Sequence, residues 1–149
     1  MEKKLPTVRP YSIVLADDHI PFREGLRGFL SEKKDLKIEG EAGDGIELLS
    51  FLRMSKSIPD MAIVDITMPN LDGIEATRRI KMTHPQVKVL ILTAHKGKEY
   101  IDQAFSAGAE GYLLKEDIGT ELISAIETIR QGKVYVPSFF LENSMKETK

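Results

Sequence analysis

The chain has 149 residues, 42% hydrophobic and 30% charged, with a formal net charge of -2 and no cysteine. That length fits one domain with a full core, and that charge offers no global electrostatic case for nucleic acid. The lack of cysteine excludes disulfides, thiol catalysis and cysteine-based zinc sites, and no apolar run is long enough to span a bilayer.

Residues 1–10 carry Pro6 and Pro10 among polar residues and are expected to form a flexible arm. The Lys3-Lys4 pair has no apolar stretch behind it, so it is not a signal peptide, and a cytoplasmic protein is expected. Tyr11 to Ala16 reads as a buried strand, followed at once by Asp17-Asp18-His19. Phe22, Leu26, Phe29 and Leu30 then share one helical face. Leu36, Ile38, Gly40 and Ala42 alternate with Lys37, Glu39 and Glu41, the pattern of a half-polar edge strand. Gly43-Asp44-Gly45 turns into a helix with Ile46, Leu49 and Leu52 inward.

Met61-Ala62-Ile63-Val64 is a short continuous apolar run, as expected of a strand buried on both faces. A buried strand tolerates no charge, so Asp65 should sit where the strand ends and the chain meets solvent. Pro69 stops the ladder, and Asn70-Leu71-Asp72-Gly73 turns the chain into a helix. That helix runs to about His84, with Ile74, Thr77 and Ile80 inward, and His84-Pro85 ends it. Val87 to Leu92 reads as the fourth strand, with Thr93-Ala94-His95 after it. A helix from Lys98 to about Ala107 is anchored by Ile101 and Phe105. Gly111 to Leu114 is a short fifth strand leading into Lys115. The last helix turns Ile118, Leu122, Ile126 and Ile129 inward and closes at Gly132.

Strand and helix thus alternate five times over residues 11–132. That alternation predicts a flavodoxin-like (βα)5 doubly wound parallel sheet, with the half-polar second strand at an edge in the order 2-1-3-4-5. Ligands of such sheets bind in the crevice at the carboxyl ends of the strands.

Four strands end in side chains suited to an anion or a hard cation: Asp17 and Asp18, then Asp65, then Thr93, then Lys115. Clustered carboxylates repel one another, and a divalent ion with oxygen ligands offsets that. Mg²⁺ takes one or two carboxylates and keeps several waters. Lys115 adds a compact positive charge and Thr93 a hydroxyl, so the set forms a cradle for a phosphoryl group. Asp can itself be the nucleophile, as an aspartyl phosphate.

This constellation resembles the receiver domain of two-component response regulators. The matching residues are Asp17-Asp18, Asp65 with Met68-Pro69 and Asp72-Gly73, Thr93-Ala94, Tyr112 and Lys115, over about Tyr11 to Gly132. The Asp-Asp-His start and the Leu114-Lys115-Glu116 turn resemble the NarL/FixJ subfamily in particular. The resemblance implies that Asp65 is the phosphoacceptor for a histidine kinase. It implies Mg²⁺ held by Asp18, Asp65 and the backbone carbonyl of Thr67, with Asp17 acting mainly through water. Thr93 and Lys115 would hold the phosphoryl oxygens, and Tyr112 would be the switch aromatic. Thr67 and His95, two positions beyond Asp65 and Thr93, would tune the lifetime of the phosphoryl group. The changed surface would be helix four, strand five and helix five, with a homodimer formed on phosphorylation among the expectations. Many receivers carry proline directly after the lysine, whereas this chain has Glu116, so the last turn departs from that pattern.

Simpler roles exist for each residue taken singly. Asp17 or Asp18 could cap the following helix, although one cap needs only one Asp. Tyr112 could be ordinary strand packing. His19, His84 and His95 show no metal-ligand spacing. Gly40, Gly43 and Gly45 do not spell a dinucleotide fingerprint. A small phosphatase of the haloacid dehalogenase type would want Asp-x-Asp after strand one, and here the two are adjacent. A receiver-like module without phosphate chemistry would lack Asp65 or Lys115, and both are present.

Residues 133–149 are expected to be a tail or the start of a linker. In the NarL/FixJ subfamily that linker leads to a helix-turn-helix DNA-binding domain. Only 12 residues follow Pro137, so the expectation is a stand-alone receiver or a truncated transcription regulator. Phe139-Phe140-Leu141 should pack on the body or on a partner.

Overall fold

Five apolar runs become five parallel strands: β1 (Tyr11–Ala16), β2 (Leu36–Ala42), β3 (Met61–Val64), β4 (Lys88–Thr93) and β5 (Gly111–Leu114). Between and after them lie α1 (Ile20–Ser31), α2 (Gly45–Met54), α3 (Gly73–Thr83), α4 (Lys98–Ser106) and α5 (Ile118–Arg130). The computed structural model describes residues 9–140. Most of the arm expected over 1–10, and the tail beyond 140 including Leu141, lie outside the described residues. The sheet order is β2-β1-β3-β4-β5, every neighbouring pair parallel.

The two-residue period of a strand sends alternate side chains to opposite faces. In β3, Met61 and Ile63 enter a core shared with α1 and α5, while Ala62 and Val64 enter a second core with α2, α3 and α4. A strand apolar at all four positions therefore suits the centre of a doubly covered sheet. Each fully buried Leu, Ile or Val there contributes about 1.5–3 kcal/mol. The edge strand β2 leaves Lys37 and Glu39 exposed. Its register slips once, since Ile13 pairs with Ile38 but Val14 with Gly40.

Two expected boundaries shift. β4 starts at Lys88 and takes in Thr93, because Val87 N–H is used in a turn to the His84 carbonyl. In α2 the inward stripe is Gly45, Leu48 and Leu52, with Ile46 46% exposed and Leu49 half-buried. Gly45 sets that rotation. Its N–H donates to Leu71 O at 3.0 Å, and a Cβ there would stand 2.5 Å from that oxygen. The close approach turns the Gly45 side of the helix inward and carries Leu48 and Leu52 with it.

Asp44 and Asp72 cap α2 and α3, accepting the Glu47 and Glu75 N–H at 2.8 Å each. Neither Asp17 nor Asp18 caps α1, whose N-cap His19 makes no side-chain cap bond. The start of α3 lies hard against the end of β3. Gly73 N–H donates to Ile66 O at 2.8 Å, and an added Cβ would sit 2.0 Å from Asp65 O.

Candidate functional site

Parallel strands deliver their carboxyl ends to one rim. Asp17 follows β1, Asp65 follows β3 and Lys115 follows β5. Lys115 Nζ lies 2.8 Å from Asp17 Oδ2 and 3.1 Å from Asp65 Oδ2. Asp65 was expected to meet solvent, yet it is only 8% exposed. Its second oxygen takes the Ile66 N–H at 2.7 Å, which with Lys115 offsets the burial. Asp17 is 4% exposed, and its Oδ1 accepts the His19 N–H at 2.8 Å. Asp18 is exposed.

Carboxylate oxygens of Asp17, Asp18 and Asp65 fall within 4.8 Å of one another. Three carboxylates thus face one ammonium. An all-oxygen donor set with surplus negative charge and one solvent-facing member fits a hard divalent cation that retains waters. Burial works against the charge of Lys115, but its bonds to Asp17 and Asp65 outweigh burial and hold its pKa above the ordinary lysine value.

Two site neighbours carry no motif signal. The Phe22 ring lies under Lys115, with Nζ 4.1 Å from its centroid. Arg23 donates to Asp17 O at 2.5 Å and to Glu41 Oε1 at 2.8 Å, tying the β1 exit to β2. Helical periodicity assigns Phe22 to the core, and nothing marks Arg23. Their place in the first turn after the acidic pair is the one available cue.

A second cluster flanks the first. Thr67 Oγ1 and His95 Nε2 are 2.6 Å apart, and the His95 ring stacks on Tyr100 at 4.3 Å. Tyr112 is fully buried and its hydroxyl donates to His95 O at 2.7 Å. Burial, helped by the Asp65 charge, pushes the Tyr112 phenol pKa up. Thr93 is also fully buried, and its Oγ1 accepts the His95 N–H at 3.5 Å. Among the described residues no hydrogen bond joins Thr93 to Asp65. The structure therefore brings Asp17, Asp18, Asp65 and Lys115 together, and groups Thr67, Thr93, His95 and Tyr112 beside them. His19 and His84 lie outside both groups, His84 at the end of α3 against Thr83. After Lys115 the chain makes a single 3-10 turn through Asp117, and Glu116 pairs with Lys96 at 3.2 Å.

An α/β sheet wound in this order, with an acidic crevice and a lysine at its carboxyl rim, defines the flavodoxin-like class of switch and binding domains. The family model described as the response regulator receiver domain matches residues 13–127, and the chain belongs to that family. The transcriptional regulatory protein DegU of Brevibacillus brevis is 36% identical over 135 residues, covering 91% of this chain and 56% of that protein. The crystal structure of a LuxR-family two-component response regulator from Aurantimonas sp. SI85-9A1 superposes with a TM-score of 0.86 at 34% identity, covering 93% of this chain and 98% of that one. The isolated receiver domain of RcsB from Salmonella enterica serovar Typhimurium, solved in the presence of the phosphomimetic BeF3-, superposes with a TM-score of 0.79 at 26% identity, covering 87% and 95%. The chain spans little more than half the length of DegU. The receiver family is a regulatory one. Among the described residues no helix is long and apolar enough to cross a membrane.

Proposed function

We propose that the chain is a phosphorylation switch in which Asp65 accepts a phosphoryl group from a sensor histidine kinase. The observation that carries this reading is the convergence of Asp17, Asp18, Asp65 and Lys115 from three strand ends within hydrogen-bond or ligand reach. An Asp65 carboxylate oxygen attacks phosphorus, the P–N bond to the donor imidazole breaks, and that nitrogen leaves with the bonding pair. Lys115 is already in contact with Asp65 and follows the transferred charge as a point cation. Mg²⁺, held by Asp18, Asp65 and the Thr67 carbonyl with Asp17 acting through water, would neutralise the phosphoryl oxygens. The Ile66 N–H fixes the carboxylate orientation.

The Thr93 hydroxyl then turns from the His95 amide toward the phosphoryl oxygens, and Tyr112 responds. The face that changes is α4, β5 and α5. Thr67 and His95 close off the approach of water and so set the lifetime of the phosphoryl group. The RcsB receiver solved with a phosphomimetic supports this chemistry, and the name of DegU supports transcription as the output. That output would act on DNA through a further domain, with dimerisation on phosphorylation, in the cytoplasm. The second reading is a receiver whose switched face acts directly on a protein partner, which fits the regulatory character of the family.

The test is intact mass after incubation with acetyl phosphate and Mg²⁺. A gain of one phosphoryl group is expected for the native chain and none for Asp65→Asn. An equal gain in both overturns the assignment.

A further inference from the structure

The chain does not simply leave the domain after α5. Gly132 has a φ of +87°, which turns it back toward the sheet. Tyr135 then pairs with Gly111 as a single bridge on the open side of β5. Its N–H donates to Glu110 O at 2.9 Å, and the Tyr112 N–H donates to its carbonyl at 3.2 Å. The Tyr135 hydroxyl bonds to Glu121 Oε1, and Ser138 Oγ reaches the same carboxylate at 3.3 Å. Tyr135 packs on the α1–α5 side of the sheet, whereas Phe139 and Phe140 pack on the opposite side. Residues 133–140 therefore wrap around the β5 edge.

Tyr112 stands between this segment and the acidic crevice. Its main chain holds Tyr135, and its hydroxyl holds the His95 carbonyl at 2.7 Å. The His95 ring in turn meets the Thr67 hydroxyl at 2.6 Å, two residues beyond Asp65. Three direct contacts run from the site loop to the C-terminal segment.

We propose that residues 133–140 are a strap on β5 whose hold is set by the phosphorylation state of Asp65, through Thr67, His95 and Tyr112. This rests on Asp65 being the phosphoacceptor. A phosphoryl group places charged acceptor oxygens two residues before Thr67, where they compete with His95 for its hydroxyl. The loop that carries the His95 carbonyl then moves, and Tyr112 moves with it. The strap is held by a single bridge and a few hydrogen bonds that also compete with water, so a small bias shifts its occupancy. One state keeps residues 133–140 against the sheet, and the other releases them.

The test is amide hydrogen exchange on the full chain, with intact mass measured on the same samples. On phosphorylation with acetyl phosphate and Mg²⁺, exchange at the Tyr112 and Tyr135 amides should rise about tenfold. Tyr135→Pro, which removes the N–H to Glu110, should gain the phosphoryl mass normally yet exchange fast at Tyr112 in both states. Tyr135→Phe, which keeps the backbone bonds and loses the Glu121 contact, should show an intermediate rate. Thr67→Val, which removes the contested hydroxyl, should already exchange fast at the Tyr112 amide without the phosphodonor and show no further rise with it. A mass gain with exchange unchanged at both amides overturns the strap and leaves the phosphoacceptor reading intact. A full exchange response in Thr67→Val overturns the route through His95. No mass gain in the native chain overturns the phosphoacceptor reading, and the strap with it.

Discussion

Lys115 Nζ lies 2.8 Å from Asp17 Oδ2, so the ends of β1 and β5 are joined across the crevice by one ammonium that also reaches Asp65. Lys115→Met strands two buried carboxylates and should cost about 2 kcal/mol at neutral pH. The folded Lys115 pKa is raised, so its contribution is complete below the ordinary value of 10.5 and fades as pH rises through the folded value. Urea denaturation of both proteins from neutral pH into that alkaline range should show the gap constant and then closing. A gap that widens with alkalinity contradicts this role.

Asp18 is the exposed member of the acidic trio, and among the described residues it makes no ion pair. Asp18→Asn should therefore leave metal-free stability within about 0.5 kcal/mol of native. On the proposed reading, Mg²⁺ should raise the melting temperature of the native chain, and the variant should lose most of that rise. Thermal melts with and without Mg²⁺ decide the matter, and a full Mg²⁺ shift in the variant would exclude Asp18 as a ligand.

Gly73 keeps α3 against the carbonyl of Asp65. Its alanine variant places a methyl carbon 2.0 Å from that oxygen and should cost about 3 kcal/mol or more. On the proposed reading it should also slow phosphorylation of Asp65, because the carboxylate is carried on the displaced residue. Gly43→Ala is the matched control. Its nearest neighbour is Glu47 Oε1 at 3.5 Å, an ordinary contact, and stability should change by less than about 0.5 kcal/mol. Urea midpoints for the two variants should differ accordingly.

Thr67 and His95 meet at 2.6 Å directly beside the crevice. On the proposed reading, replacing both, as Thr67→Ala with His95→Ala, should open the path of water to a phosphoryl group on Asp65 and shorten its lifetime. Loss of the phosphoryl mass with time is the measurement, and an unchanged rate removes both residues from that role.

Strand and crevice were legible in the sequence because each rests on a strong local signal. Met61 to Val64, short, continuously apolar and bounded by turn residues, reads as a strand covered on both faces, and the polar alternation of Leu36 to Ala42 places β2 at an edge. The acidic residues and Lys115 were readable as strand-end positions once the strand order was known. The rotation of α2 was not, since it depends on Gly45 pressing against Leu71, a contact between distant segments. Burial of Asp65 was missed for a similar reason. Lys115 is 50 residues away in sequence, and only the fold shows that it offsets the buried charge. Nor could periodicity reveal Tyr135 on β5, because one bridging residue has no period.

The two margins of the sheet differ in how they are protected from other molecules. Along β2 the exposed Lys37 and Glu39 and the slipped register discourage a foreign strand from adding on. Along β5 the protection is a piece of the chain itself, laid over the margin at Tyr135. Whatever lifts that piece also uncovers an unpaired backbone edge. Self-association at high protein concentration should therefore begin at the β5 margin and spare the charged one.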